Sequence, residues 1–193
     1  RHFNCLAAQE PVERQLGAIF LPLVRTFGRD LQVHAQELME ASLELYREAG
    51  RVLRAVPGRL TTSLSLGDLA RVFQGLCSLG RESVSSQRAL ARAWAHESFR
   101  SFGDRLKEGD SLAWLAQTVQ DICDRKFNAT AKPASLVFSC VGLETDLGAS
   151  SARRYVEINN KQAFHAELAR LAEAYAQAPA APKAEAAKRT PSG

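Results

Sequence analysis

The sequence predicts a mostly α-helical protein, in which a bundle of five amphipathic helices is followed by a loop-rich connector and a terminal helix. Over the first two thirds of the chain, apolar residues recur at the three-and-four spacing that gives a helix one apolar face. After Asn128 the pattern changes to short apolar runs broken by Gly and Ser. Short polar joints between the helices are typical of a helical bundle.

The overall composition is that of a soluble globular protein. The 193 residues are 46% hydrophobic and 24% charged, and the net charge of +4 is too mild and too scattered for a nucleic-acid-binding face. No apolar run is long enough to span a membrane. Cys5, Cys77, Cys123 and Cys140 lie far apart, which argues against structural zinc and for reduced thiols. The chain opens with Arg1 and has no leader, so we expect an internal fragment.

The first two helices are predicted from their apolar faces. The apolar face of the first helix consists of Leu16, Ile19, Phe20, Leu23, Val24 and Phe27. Pro22 lies inside it and is expected to kink the helix, at roughly 3 kcal/mol if nothing compensates. The corresponding face of the second helix consists of Leu38, Ser42, Leu45, Ala49, Val52 and Val56. Pro57 and Gly58 then end the helix.

The third helix is predicted to begin at Ser65, with Asp68 completing a short-armed capping box. Its buried face is Leu69, Val72, Phe73 and Leu76. The third helix should end near Gly80.

The fifth helix is predicted to begin near Ser111, and its apolar residues are Leu112, Leu115, Val119, Ile122 and Phe127.

The stretch "RAWAHESFRSFGDRL", Arg92 to Leu106, predicts the fourth helix. Its expected buried face is Ala91, Ala95, Phe99, Phe102 and Leu106, with Trp94 beside it. Glu97, Arg100 and Asp104 are spaced as a ladder of exposed ion pairs, each worth about a few tenths of a kcal/mol. His96 and Glu97 invite comparison with the zinc motif HExxH, but Arg100 replaces its second histidine and cannot bind a metal. We therefore expect a structural helix and no metal site.

The connector "SLVFSCVGLETDLGASSARRYVEI" is predicted to contain one or two brief strands. The terminal helix carries Phe164, Leu168, Leu171 and Tyr175. From Ala176 onward the low-complexity composition predicts disorder.

No catalytic motif stands out. The chain has no phosphate loop GxxxxGK[ST], no Gly-rich dinucleotide turn and no GxSxG elbow, so it should not hydrolyse a nucleotide alone. His2, His34 and His165 are isolated. Two functions remain open from the residues themselves. The chain is either a helical lid or accessory piece of a larger enzyme, or a free-standing helical interaction module.

Three segments taken in order, "RHFN" (Arg1 to Asn4), "LSLGDLARVFQG" (Leu64 to Gly75) and "RAWAHESFRSFGDRL", resemble the dynein heavy chains. The later "LVFSCVG" and "RRYVEINNKQAFHAELARLAEAY" look like the connector toward the next module of that family. The resemblance implies the small lid subdomain of the third AAA+ module. Residues 1–10 would end the AAA+ large subdomain, 11–128 form the helical lid, 129–175 lead to the next module, and 176–193 form a disordered tail.

The resemblance also implies a function. The chain would be a fragment of an axonemal-type dynein heavy chain, an ATP-driven microtubule motor of the cytoskeleton, in a ciliary or flagellar axoneme. ATP or ADP would bind the parent motor, with no cofactor for the isolated chain. Expected partners are the rest of the motor ring, dynein intermediate and light chains, and microtubules, with no nucleic acid and no membrane. The alternative is a stand-alone helical interaction module derived from the lid.

One departure from the family pattern concerns nucleotide sensing. The family helix usually reads Asn-Leu-Arg-Asp, whereas Gly67 stands here in place of the sensor arginine, before Asp68. An arginine bonded to phosphate contributes roughly 1.5 to 3 kcal/mol, so we predict a weakened nucleotide response unless Arg71 substitutes. By resemblance, Gly67, Asp68 and Arg71 face the nucleotide, and Arg1 lies near the arginine finger.

Overall fold

The computed structural model describes residues 11–27, 31–53, 64–79, 85–107, 109–140 and 155–177. The helices are α1 (Glu13–Phe27), α2 (Ala35–Val52), α3 (Leu66–Cys77), α4 (Gln87–Gly103), α5 (Gly109–Phe127) and α6 (Lys161–Gln177). Two short strands, β1 (Phe138–Ser139) and β2 (Val156–Glu157), lie between α5 and α6. The predicted mostly helical fold is confirmed.

The chain divides into two compact units, residues 1–159 and 160–193. In the first unit α4 packs between α3 and α5, while α2 contacts α1 and α5. The connector belongs to this unit and packs on α4 through the turn Pro133–Ser135. In the second unit Asn160 precedes α6, and its Oδ1 accepts a hydrogen bond from the Ala163 amide at 3.0 Å. An Asn in this position caps the free amides of the first helical turn.

Helix α4 is the most enclosed helix of the bundle, and most of its length is buried on more than one side. Alanine and serine side chains at these positions let the neighbouring helices approach closely. The buried residues are Leu90, Ala91, Ala93, Trp94, Ala95, Glu97, Ser98, Ser101, Phe102 and Gly103.

Local signals set the helix ends. The Ser65 amide donates to Asp68 Oδ2 at 2.8 Å, which confirms the predicted reach of that carboxylate back to the start of α3. Asn128 follows α5 with a φ of 48°, a left-handed conformation that Asn tolerates better than most residues. Pro22 lies inside α1, and the helix extends from Glu13 to Phe27 around it.

A polar contact crosses the core between α2 and α4. Trp94 Nε1 donates to Ser42 Oγ at 2.9 Å, and Ser42 Oγ donates to the Leu38 carbonyl at 2.6 Å. The Trp94 ring also packs on Phe127, with 5.6 Å between the ring centres. The serine that interrupts the apolar face of α2 therefore satisfies the indole of a fully buried tryptophan.

Several burial predictions are wrong in detail. Ile19, Leu23 and Val52 are exposed, because the apolar faces of α1 and α2 extend beyond the surface that their neighbours cover. On α4 the expected Ala91, Ala95 and Phe102 are buried, but Phe99 is only partly buried. Leu106, which follows α4, and Leu112 on α5 are also only partly buried. The disordered tail was predicted from Ala176, but α6 includes Ala176 and Gln177. The predictions for Arg1, Val56, Pro57–Gly58, Gly80 and the rest of the tail, residues 178–193, lie outside the described residues, as does the side chain of Phe27.

The connector forms the predicted brief strands. Strand β1 pairs antiparallel with β2, Phe138 opposite Glu157 and Ser139 opposite Val156. The Ile158 amide donates to the Val137 carbonyl at 2.8 Å. A single parallel bridge joins Tyr155 to Leu79, just after α3. The start of β2 therefore touches both β1 and the end of α3.

Candidate functional site

The first turn of α3 contains the residues expected to face a nucleotide. Asp68 is fully buried and accepts hydrogen bonds at Oδ2 from the Ser65 amide at 2.8 Å and the Ser65 hydroxyl at 3.0 Å. Arg71 Nη1 donates to Asp68 Oδ1 at 2.9 Å, and the Arg105 guanidinium forms an ion pair with the same oxygen. Two arginines thus converge on one carboxylate.

Burial alone would raise the pKa of Asp68, but hydrogen bonds from Arg105 and Ser65 outweigh it and lower the pKa below its ordinary value. Asp68 is therefore ionised near neutral pH. Arg71 is exposed on the outer side of this turn although it is bound to Asp68.

Gly67 is exposed beside these charges. A Cβ added there would approach only the Ser65 hydroxyl oxygen, at 3.3 Å. The helix end can thus accept a larger side chain at this position. Arg1 lies outside the described residues, so its predicted place near an arginine finger stays a prediction.

The second group of charges centres on Glu97, and here the predicted exposed ladder is wrong. Glu97 is fully buried, although its predicted pairing with Arg100 exists, with Nη2 to Oε2 at 2.8 Å. The Tyr155 hydroxyl donates to the other oxygen, Oε1. Asp104 is exposed at the end of α4, where its amide donates to the Arg100 carbonyl at 3.3 Å. The helix presents Glu97 inward because α4 is enclosed by neighbours on that side.

Gly75 of α3 makes room for this carboxylate. A Cβ at Gly75 would lie 1.9 Å from Glu97 Oε2 and 2.3 Å from its Cδ, distances that side-chain contacts do not reach. A glycine in the middle of a helix weakens it by roughly 1 kcal/mol relative to alanine. Here the missing side chain lets α3 and α4 pack around a buried charge.

His96 faces the connector. Its ring lies 4.9 Å from the ring of Phe138, and it forms a hydrogen bond with the backbone of Leu136. Burial lowers the pKa of His96, although Glu97 nearby raises it, so the ring is neutral at pH 7. In the part of the chain that the structure describes, no group of three or more His, Cys, Asp or Glu residues is placed to hold a metal ion.

Arg92 joins the bundle to β2. Its Nε lies 3.1 Å and 3.0 Å from the two carboxylate oxygens of Glu157, and its Nη2 also donates to Oε1. A bidentate pair of this kind fixes orientation as well as distance.

Cys77, Cys123 and Cys140 are free thiols. Burial raises the pKa of Cys123 to about 12, and its Sγ lies 3.6 Å from the Ala91 carbonyl. A thiol with so high a pKa stays protonated at neutral pH and is a poor nucleophile. Among the residues that the structure describes, no helix is long and apolar enough to cross a membrane.

The sequence alone missed four residues of the Glu97 and Arg92 contacts: Gly75, Arg92, Tyr155 and Glu157. The partners lie 58 and 65 residues apart, beyond the reach of any local pattern. One signal was available, because an unexplained glycine inside the helical pattern of α3 indicates a close approach.

Comparison with known proteins agrees with this helical arrangement. The family model of the dynein heavy chain, ATPase lid domain, matches residues 19–111. The chain is 26% identical over 133 residues to dynein axonemal heavy chain 12 of Rattus norvegicus. This match covers 66% of the present chain and 4% of the rat protein. It is 29% identical over 136 residues to dynein axonemal heavy chain 1 of Homo sapiens, or 62% of this chain and 3% of that protein.

A third relative, dynein axonemal heavy chain 2 of Mus musculus, is 27% identical over 132 residues, which is 66% of this chain and 3% of that protein. The chain thus spans only a few per cent of the length of these relatives. The predicted resemblance to axonemal dynein heavy chains is confirmed, and the assignment to the third module stays a prediction. Residues 19–111 match the family model of the dynein heavy chain, ATPase lid domain, and the chain is similar in sequence to axonemal dynein heavy chains.

Proposed function

We propose that this chain is part of an axonemal dynein heavy chain and contributes the lid of one AAA+ module, the third in the ring, to an ATP-driven microtubule motor. The observation that carries this proposal is the lid-family match over residues 19–111, which extends from α1 to the start of α5. The ordered motifs in α3 and α4 support it. The chain itself carries out no catalysis, because the phosphate loop belongs to the large subdomain.

In this role the first turn of α3 faces a nucleotide held by the large subdomain. Its residues offer a limited fit to phosphate. Gly67 supplies no cation, and Arg71 is exposed but donates to Asp68. Since a guanidinium has five N–H donors, Arg71 can bond a phosphate oxygen while it keeps that contact. The lid would thus respond to nucleotide more weakly than one with an arginine in place of Gly67.

The proposed motor role also implies a cellular location and binding partners for this chain. A lid that rotates as a rigid body when nucleotide binds or leaves transmits a local change to the ring. The partners are then the rest of the motor ring, the dynein intermediate and light chains, and microtubules, in a ciliary or flagellar axoneme. The names of the axonemal relatives support this location.

The transcript provides the first test. Sequencing on both sides of this chain should show a phosphate-loop module upstream of Arg1 and another module downstream. A start codon just before Arg1 and a stop codon just after Gly193 would contradict the motor and favour the stand-alone interaction module.

Nucleotide affinity provides the second test. In the intact module, Gly67→Arg should strengthen ATP binding by about one to two decades, because an arginine–phosphate contact contributes roughly 1.5 to 3 kcal/mol. Gly50→Arg is the matched control, since Gly50 is also helical and exposed, and a Cβ there would meet nothing within 4 Å. Equal affinities for both variants would contradict the placement of α3 against the nucleotide.

A further inference from the structure

Strand β2 is attached to α4 at two places by side chains. Glu97 accepts the Tyr155 hydroxyl, and Arg92 forms the bidentate pair with Glu157. The two α4 residues are five positions apart, or about 7.5 Å along a helix axis. The two connector residues are two positions apart, or about 6.6 Å along a strand. The two contacts thus lie at two different points along the helix.

The first contact is buried and the second is partly buried. The Glu97 carboxylate is buried against Gly75, and the side chains of Arg92 and Glu157 are 30% and 19% exposed. Pairs in such surroundings are screened less by solvent and salt than exposed ones. Tyr155 is also fixed by its bridge to Leu79 and by its ring, 5.8 Å from that of Phe138.

We propose that Glu97 and Arg92 are positioning residues that latch strand β2 to helix α4, so that the bundle fixes the place and orientation of this strand. Strand pairing with β1 holds β2 to the connector, and the two side-chain contacts hold it to α4. The latch itself rests on the contacts described above. Its use in passing lid movement to the following segment rests on the proposed function.

The latch can be tested by hydrogen exchange on the 193-residue chain without nucleotide, so the outcome does not depend on the motor assignment. The reporter is the Ile158 amide, which donates to the Val137 carbonyl across the strands. Arg92→Glu places two carboxylates opposite each other and should raise exchange at Ile158 by about tenfold or more. Tyr155→Phe should raise it by a smaller factor. Exchange in α2 should stay unchanged.

Charge reversal distinguishes the latch from general weakening of the fold. Adding Glu157→Arg to Arg92→Glu recreates the ion pair in reverse and should restore protection at Ile158. Arg125→Glu is the matched control, since it breaks a pair between α5 and α2 in which Arg125 is exposed and Glu44 is not. It should leave Ile158 unaffected. Unchanged exchange at Ile158 in Arg92→Glu, an equal rise throughout α2, or no restoration by the reversed pair would overturn the proposal.

Discussion

Asp68 and Glu97 are both fully buried carboxylates bonded to arginine, yet they do different work in the fold. Asp68 bonds within its own helical turn, to Ser65 and Arg71, and to one arginine just after α4. Glu97 bonds to a tyrosine 58 residues away and fills a space that Gly75 of another helix provides. Asp68 caps the start of α3, whereas Glu97 joins α3, α4 and the connector.

The difference follows from where water can reach. A buried charge destabilises the fold unless its partners replace its hydration. Asp68 is buried, but the neighbouring position at Gly67 is open, so water can enter once the Asp68 carboxylate is removed. Around Glu97 the packing of α3 on α4 excludes water. The same chemical group should therefore differ in its contribution to stability at the two sites.

The largest expected effect separates the two carboxylates. Glu97→Ala should lower the free energy of unfolding by about 3 kcal/mol, because it removes a buried pair and leaves a cavity. Asp68→Ala should lower it by about 1 to 2 kcal/mol, the usual effect of losing a helix cap. Urea unfolding of the whole chain measures both, with the exposed Asp121→Ala on α5 as control. A larger loss of stability for Asp68→Ala than for Glu97→Ala would contradict the predicted difference between the two carboxylates.

Acid should weaken the contribution of Asp68. Folding lowers its pKa, so its stabilisation is complete above the unfolded value of about 3.9 and is lost as pH falls through the folded pKa. The difference in urea midpoint between the wild type and Asp68→Asn should therefore narrow as the pH falls below about 4. A difference that stays constant with pH would show that the Asp68 charge does not stabilise the fold.

Removing only the tyrosine hydroxyl should have a smaller effect. Tyr155→Phe keeps the ring against Phe138 and leaves Glu97 with Arg100, so the loss should be about 1 kcal/mol. Thermal unfolding by circular dichroism measures it. Tyr175→Phe on α6 is the control, because that side chain is 86% exposed. Equal stabilities for Tyr155→Phe and the wild type would show that this hydroxyl contributes nothing.

The smallest effects concern helical glycines away from Glu97. Gly50→Ala should stabilise the chain by about 0.5 to 1 kcal/mol, since alanine favours a helix and the added Cβ meets nothing within 4 Å. Gly67→Ala should gain less, because its Cβ would press on the Ser65 hydroxyl at 3.3 Å. Differential scanning calorimetry ranks the two variants. A loss of stability at Gly50 would contradict the open space around it.

The sequence could predict most of the helical fold, because α1, α2, α3 and α5 each bury one face and so carry a clear period. At α4 it predicted the helix and part of the buried face, but not the burial of Glu97 and of the serines on its other sides. The spacing of Glu97, Arg100 and Asp104 predicts an exposed ladder of ion pairs, and nothing local to α4 indicates that Glu97 is buried. Its partner Tyr155 lies in the connector, where no local pattern relates it to α4.

The site was predictable only where its contacts are local. Ser65 and Asp68 lie within one turn, so the capping pattern indicated their contact from the sequence. The convergence of Arg105 on Asp68 and of Arg92 on Glu157 depends on how separate segments pack. Such contacts emerge only when the fold is known.

The most direct test of the contrast between the two carboxylates is a double-mutant cycle between Gly75 and Glu97, measured by urea unfolding. Gly75→Ala should lower the free energy of unfolding by about 3 kcal/mol in the wild type, since its Cβ would overlap the Glu97 carboxylate. In the Glu97→Ala background the same change should lower it by less than about 1 kcal/mol, because the overlapping atoms are gone. An equal loss in both backgrounds would contradict the seating of Glu97 on Gly75 and, with it, the role of this carboxylate in joining α3, α4 and the connector.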